Sequence, residues 1–116
     1  MAETAATMFD TLVSRLKGLT GVEFAEYEWK TRPAGNYGTV QYDFEAEDDN
    51  GDDMKMDAAY EGSVHLFTHG KQTSVAAEVE GVLNDICESC WRLNSEQYDH
   101  ETGLVHREYV FHLESR

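Results

Sequence analysis

The amino-acid sequence predicts an α+β domain of two layers, with two helices packed on one face of a mainly antiparallel sheet. Two segments, residues 4–17 and 74–91, repeat apolar residues at the three- and four-residue steps of a helix. Five other segments alternate apolar and polar residues, as half-buried strands do. Because each helix has one apolar stripe and the strands share one apolar face, the two layers are expected to cover each other. The predicted order of elements is α-β-β-β-α-β-β.

Length and charge limit the possible functions. The chain has 116 residues, predicted to form one domain over residues 1–116, and 23 Asp and Glu against 9 Lys and Arg leave a formal net charge of -14. A surface of this sign repels DNA and anionic bilayers, although DNA can still pass close to it. Residues 1–10 lack the basic and apolar regions of a secretory signal, and no 18 apolar residues run together. We therefore expect a soluble cytoplasmic protein without a membrane partner.

The first helix and the first strand are predicted from local patterns. Thr4 to Lys17 places five apolar side chains on one helix face, and Gly18 is expected to end this helix. The five side chains are Met8, Phe9, Leu12, Val13 and Leu16. Val22 to Trp29 alternates as a strand does, but its phase slips midway. This slip predicts a bulge or an irregular edge strand.

A turn, a second strand and a hairpin connection come next. Thr31 to Gly38 contains Pro33, the only proline, and is predicted to be a turn. In the strand that follows, Val40, Tyr42, Phe44 and Ala46 are predicted to face one way, and Gln41, Asp43 and Glu45 the other. Glu47 to Asp53 contains Asn50-Gly51, which is the strongest hairpin signal in the chain.

Three more strands complete the predicted sheet. Met54 to Thr68 is predicted to be a long strand that bends at Gly62. Its polar face holds Lys55, Asp57, Glu61 and His65. Arg92 to Tyr98 and Leu104 to Leu113 form a hairpin around the turn Asp99 to Gly103. In the last strand, Val105, Tyr109, Phe111, Leu113 and the stem of Arg107 are predicted to face inward, and His106, Glu108 and His112 outward.

The segment Ser74 to Trp91 is predicted to be the central helix on which the sheet packs. Its apolar stripe consists of Val75, Val79, Val82, Leu83, Ile86 and Cys90. Thr73 or Ser74 can cap its first turn, and Gly70 allows a sharp entry into it.

Cys87 and Cys90 match the C-x-x-C pattern at the end of this helix. A redox site of this type normally starts a helix, because the free amides and the helix dipole there stabilise a thiolate. We therefore expect two buried or half-buried thiols. Zinc is the remaining alternative, but it needs two histidine ligands, and no second closely spaced pair completes a known pattern.

Three groups of residues are candidates for contacts with partners. The outward side chains His65, His106, Glu108 and His112 could bind a metal or relay protons, but we favour a solvated or subunit-contacting role. The acidic segment Asp48, Asp49, Asn50, Asp52 and Asp53 fits a calcium loop badly, and a charged hairpin tip for steering or contact is expected. Ala77 and Gly81 stand on the helix face opposite the apolar stripe, where a neighbouring chain could approach closely or glycine is merely tolerated.

Three strings of the sequence carry a resemblance to a known family. They are RPAGNYGTVQYDF before the acidic hairpin, VHLFT at the end of the long strand, and QYDHETGLVHREYVFHLE in the last hairpin. With the order of elements, they resemble the tail terminator, or tail-completion, proteins of long-tailed bacteriophages over about residues 7–114.

The resemblance implies a structural role without catalysis or cofactor. Such proteins form a ring, usually of six copies, that caps the tail tube, stops its polymerisation and offers the surface that joins the head. The implied partners are further copies of the chain, the tail tube protein and a head-completion or connector protein. DNA passes through the ring without specific binding, and the protein is located in the tail or neck of the virion after assembly in the host cytoplasm.

Three alternatives stay open at the level of sequence. The chain could be another neck or tail component, such as a head-completion protein or the tube subunit. It could be a small metal- or thiol-dependent enzyme that uses Cys87, Cys90 and the histidines. It could also be an acidic binder that mimics DNA and is directed at a host protein.

Overall fold

Two helices and five strands are present in the computed structural model, which describes residues 3–46 and 59–115. In chain order they are α1 (Ala5–Lys17), β1 (Glu23–Glu26), β2 (Tyr37–Ala46), β3 (Ala59–His69), α2 (Thr73–Cys87), β4 (Trp91–Asp99) and β5 (Leu104–Glu114). The predicted α+β class and the predicted order of elements are both confirmed.

The five strands form one sheet in the order β1-β2-β3-β5-β4. β1 runs parallel to β2, whereas β2, β3, β5 and β4 pair with their neighbours in the antiparallel direction. The sheet is therefore mixed but mainly antiparallel. β1 and β4 lie at its two edges within the part of the chain that the structure describes.

Both helices pack on the same face of this sheet, and the core lies between the two layers. α1 contacts α2, β1, β3 and β5, and α2 contacts β4 and β5. Thr4 caps α1 by accepting a hydrogen bond from the amide of Thr7 at 3.1 Å, and Gly18 ends α1 as predicted. The predicted apolar face of α1 is buried: Met8, Phe9, Leu12, Val13 and Leu16.

β3 and β5 alternate between the two faces of the sheet in the predicted phase. Val64 and Leu66 on β3 and Tyr109 on β5 are fully buried under the helices. The intervening side chains point to the opposite face, where His65 lies across from Glu108 and Glu61 across from His112. The inward placement of Arg107 is also confirmed, because this arginine is only 3% exposed.

The central helix is shorter than the sequence predicts. α2 ends at Cys87, because Glu88 has φ 54° and ψ -117°, which no helix accommodates. Cys90 is exposed beyond this end, and Trp91 begins β4. The prediction that Cys90 belongs to the apolar stripe is therefore wrong, as is the prediction that both thiols are buried or half-buried.

Two other boundaries differ from the predictions. β1 ends at Glu26 because Tyr27 adopts φ 67°, so the irregularity predicted for this edge terminates the strand. α2 is preceded by Gln72, which makes no side-chain capping bond, whereas Thr73 and Ser74 lie within the first turn. β3 continues as a strand through Gly62, where a side chain would collide with the Gln41 carbonyl and the Phe111 ring, so glycine permits close packing.

The alternation predicted for β2 is wrong beyond Tyr42. Tyr42 pairs with Gly62 and Phe44 with Glu61, so Asp43 is an extra residue that shifts the phase of the strand. Val40, Tyr42, Phe44 and Ala46 therefore do not follow one alternation along β2.

Part of the predicted sheet lies outside the described residues. The acidic hairpin with Asp48, Asp49, Asn50, Asp52 and Asp53 belongs to this part, as do the first residues of the predicted strand Met54 to Thr68. Neither helix among the described residues is long and apolar enough to cross a membrane.

Candidate functional site

The sheet face that the helices leave uncovered, called the open face below, carries the predicted outward side chains. β2, β3 and β5 contribute most of it, since their strands are adjacent at the centre of the sheet. We define the open face by Tyr37, Gln41, Asp43, Glu61, Ser63, His65, Phe67, His106, Glu108, Val110 and His112. His65, His106, Glu108 and His112, which alternation predicted on one face, are all in this set.

Four rings form a continuous stack across three strands of the open face. The strand register places Tyr37 beside Phe67 and Phe67 beside His106. The centroid distances are 4.8 Å for Tyr37–Phe67, 4.3 Å for Phe67–His106 and 5.1 Å for His106–His65. All three pairs are near-parallel, and Tyr37 is buried at the β2 end of the stack.

The two histidines of the stack share a hydrogen bond. His65 Nδ1 and His106 Nε2 are 2.8 Å apart, so one nitrogen donates and the other accepts. Burial lowers the pKa of His106, and the neighbouring His65 lowers it further, while the Glu108 carboxylate acts in the opposite direction. The bond requires an unprotonated nitrogen, so it weakens when both rings become charged.

Polar side chains continue from this pair along the open face. Glu108 Oε2 lies 3.7 Å from His65 Nε2, and its other oxygen accepts from Asn94 Nδ2 at 2.9 Å. The Ser63 hydroxyl, only 3% exposed as a residue, donates to Asp43 Oδ2 at 3.2 Å. These groups are paired with one another, as half-buried polar groups are when they are held in place.

A second cluster lies at the other end of β5. His112 Nδ1 is 3.3 Å from Glu61 Oε1, and His112 Nε2 is 2.9 Å from Glu114 Oε1. Both ring nitrogens therefore face carboxylates. The ring of His112 is thus held between a carboxylate of β3 and one of its own strand, β5.

Several clefts border the open face within the described part of the chain. One of about 620 Å³ lies between β2, β3, β5 and β4 and includes Cys90, Trp91 and Arg92 in its wall. Two smaller clefts of about 450 Å³ and 290 Å³ lie beside the ring stack, and Arg32 borders both of them. Open clefts thus lie on both sides of the ring stack, and they do not form one enclosed pocket.

The His112 amide donates to the Cys90 carbonyl at 2.9 Å, but this contact involves the backbone and does not make a metal site. No three His, Cys, Asp or Glu side chains within residues 3–46 and 59–115 are placed to hold a metal ion. Cys87, the last residue of α2, is buried, whereas Cys90 is exposed, and the two form no disulfide.

Ala77 and Gly81 lie on the outer face of α2, on the opposite side of the domain from the histidines. Both residues are exposed. A side chain at Gly81 would meet no atom within 4 Å. The predicted contact candidates are therefore divided between two separate surfaces.

Two buried side chains, Arg107 and Tyr109, make polar contacts that were not predicted. Arg107 Nε donates to Glu96 Oε1 at 3.0 Å, and its terminal nitrogens donate to Thr68 Oγ1 and to the Lys71 carbonyl. The Tyr109 hydroxyl donates to a carboxylate oxygen of Glu80 at 2.7 Å, and burial together with this bond raises the pKa of Tyr109. An arginine at an inward-facing position of β5 was the feature of the sequence that could have predicted the contacts of Arg107. The contact between Tyr109 and Glu80 could be predicted only from the position of α2 relative to β5.

Comparison with known proteins yields a likeness at the level of structure. No protein-family model matches the sequence, and no curated protein matches it. Among solved structures, the chain is similar to a chain in the virion of a native gene transfer agent (GTA) particle. The likeness covers 97% of this chain and 91% of that one, with 13% sequence identity and a TM-score of 0.49.

Proposed function

We propose that this chain is a structural protein of a phage-like virion, and more specifically a tail terminator. Several copies, about six, form a ring that caps the tail tube, stops its polymerisation and joins the head. The partners are further copies of the chain, the tail tube protein and a head-completion or connector protein. DNA passes through without specific binding. The protein acts in the tail or neck of the virion after assembly in the host cytoplasm, with neither catalysis nor cofactor.

The open face is the observation that best supports this proposal. Its aromatic stack and paired polar groups occupy the centre of the sheet face that α1 and α2 leave uncovered. Contact surfaces between proteins are enriched in aromatic residues at their centre and have polar groups around it. We therefore assign the open face to the contact between neighbouring copies in the ring.

The acidity of the chain agrees with a ring through which DNA moves. Each copy carries a formal net charge of -14, so six copies carry roughly -84. A bore lined by part of this charge repels the phosphate backbone and does not retain it. The chain order α-β-β-β-α-β-β, on which the resemblance to tail terminators rests, is also present.

Electron microscopy of negatively stained protein, together with native mass spectrometry over a range of concentrations, tests this proposal. We expect closed rings of about six copies with a central opening, free of metal, at high concentration. Open-ended filaments would contradict the terminator role and favour the tube subunit, because a head-to-tail contact that does not close continues to grow. A monomer with stoichiometric zinc would contradict the structural role and favour the metal-dependent enzyme.

A further inference from the structure

The β4 edge of the sheet exposes apolar surface. Within the described residues, three large apolar side chains are strongly exposed, and two of them, Leu93 at 43% and Tyr98 at 54%, lie on β4. One side of β4 pairs with β5, and no strand from residues 3–46 or 59–115 lies along its other side. An edge strand of this length presents unpaired backbone amides and carbonyls to a second strand.

The two edges of the sheet differ in how they are protected. β1 has four residues and stops at the positive φ of Tyr27, so it offers little backbone for pairing. β4 has nine residues and contains neither proline nor lysine, which are the residues that most often block an exposed edge. β4 is therefore the edge of the sheet that is better suited to pair with a further strand.

We propose that β4 pairs with β4 of a second copy in the antiparallel direction, which joins the two sheets into one. The occupant of this edge is thus the same chain, related by a two-fold axis. Each contact that one copy makes is repeated by the other.

The bulge in β4 determines which residues meet. Leu93 pairs with Tyr109 of β5 and Ser95 pairs with Glu108, so Asn94 is the extra residue. Leu93 and Tyr98 consequently lie on the same, helix-covered side of the sheet, although their numbers differ in parity. With Asn94 left out of both strands, a two-fold axis at Glu96 places Leu93 opposite Tyr98 of the partner subunit.

The charges of β4 complement each other in this register. The same axis places Arg92 opposite Asp99 of the partner subunit, and both residues lie on the open-face side. Hydrogen bonds from the Glu101 amide and the Thr102 side chain lower the pKa of Asp99, so this carboxylate is charged at neutral pH. The two Glu96 side chains meet near the axis, but each is already paired with Arg107 of its own copy at 3.0 Å.

This contact is separate from the contact proposed between neighbouring copies in the ring. A two-fold contact closes at two copies, and pairing in the plane of the sheet leaves the open face uncovered. The dimer is therefore the form of the free protein at concentrations below those at which rings form.

Charge reversal tests the pairing. We expect the Arg92→Asp variant and the Asp99→Arg variant each to weaken the dimer at least about tenfold, because like charges then face each other twice. An equimolar mixture of the two variants is expected to restore dimers. These are heterodimers, because both contacts between positions 92 and 99 then join opposite charges. Sedimentation velocity and native mass spectrometry give the association state. Variants that dimerise alone as well as the wild type would overturn the proposal.

A second pair of variants covers the case in which Asp99→Arg disrupts its turn. Tyr98→Lys, on β4, is expected to weaken the dimer about tenfold, whereas Tyr27→Lys, a similarly exposed tyrosine at 48%, leaves it unchanged. Equal effects of the two substitutions would overturn the proposal. A wild-type protein that passes from monomer to ring without a dimer would also overturn it, while still supporting the terminator function.

Discussion

The two faces of the sheet use different means to order their side chains. On the helix-covered face, Val64, Leu66 and Tyr109 are 0% exposed and are held by dense packing. On the open face, His65 and Glu108 keep 26% and 29% of their side-chain surface exposed and are held by pairwise polar contacts. The covered face therefore supplies most of the stability, and the open face remains available for contact with another protein.

Charged groups show the same contrast. Arg107 on the covered face is buried and donates to a carboxylate, a hydroxyl and a carbonyl, so its charge is fully accommodated. His65 and His106 on the open face share one bond that depends on their protonation. The first arrangement has three acceptors for one buried cation, whereas the second consists of a single bond between two rings.

The largest expected effect comes from one substitution placed on each face. Val64→Ala is expected to lower the free energy of unfolding by about 2–3 kcal/mol, since it leaves a cavity in the core. Val110→Ala, on the half-buried open face, is expected to lower it by less than about 1 kcal/mol. Urea unfolding of both variants measures the difference. Equal losses would show that the two faces contribute alike.

The buried arginine gives the next prediction. Arg107→Met is expected to destabilise the fold by about 2 kcal/mol, because Thr68, the Lys71 carbonyl and Glu96 lose a donor. Arg92→Met, on an exposed arginine of β4, is expected to change stability by less than about 0.5 kcal/mol. Thermal and urea unfolding compare the two, and a loss as large for Arg92→Met would remove the distinction between the faces.

A pH dependence is expected from the open face. The pKa of His106 is lowered from 6.5 in the folded protein, so the unfolded chain takes up its proton first as pH falls. The contribution of His106 to stability is therefore present above about pH 6.5 and is lost as pH falls through the lowered pKa. Urea midpoints between pH 7.5 and 5.5 should fall less in His106→Gln than in the wild type. An identical fall in both proteins would contradict this assignment.

The smallest expected effect lies on the outer face of α2. Gly81→Ala is expected to stabilise the isolated domain by about 0.5–1 kcal/mol, because alanine favours the helix and the site is open. Thermal unfolding measures this gain. A loss of stability would mean that the glycine is needed by the fold itself.

Periodicity predicted the fold well where one side of an element is buried. The apolar face of α1 and the alternation of β3 and β5 were recognisable because burial fixes their phase. The end of α2 was not recognisable from the sequence. Apolar and thiol side chains continue the helical spacing past Cys87, although the backbone turns at Glu88. The chain reversal there depends on β4 pairing with β5, which is a contact between distant residues.

The candidate site was predictable only in part. Alternation placed His65, His106 and Glu108 on one face, and the structure brings them into contact. Tyr37 was assigned to a turn, although it begins β2 and completes the ring stack. Its partner is set by the register of β2 against β3, and a single sequence does not contain that register.

The most direct test of the account introduces one carboxylate on each of the two candidate contact surfaces. Native mass spectrometry compares Val110→Glu, on the open face, with Ala77→Glu, on the outer face of α2, over the concentration range in which the wild type forms rings. We predict that Val110→Glu loses the closed oligomer of about six copies while remaining folded, and that Ala77→Glu retains it. Loss of the ring in Ala77→Glu and its retention in Val110→Glu would contradict the assignment of the open face as the ring contact.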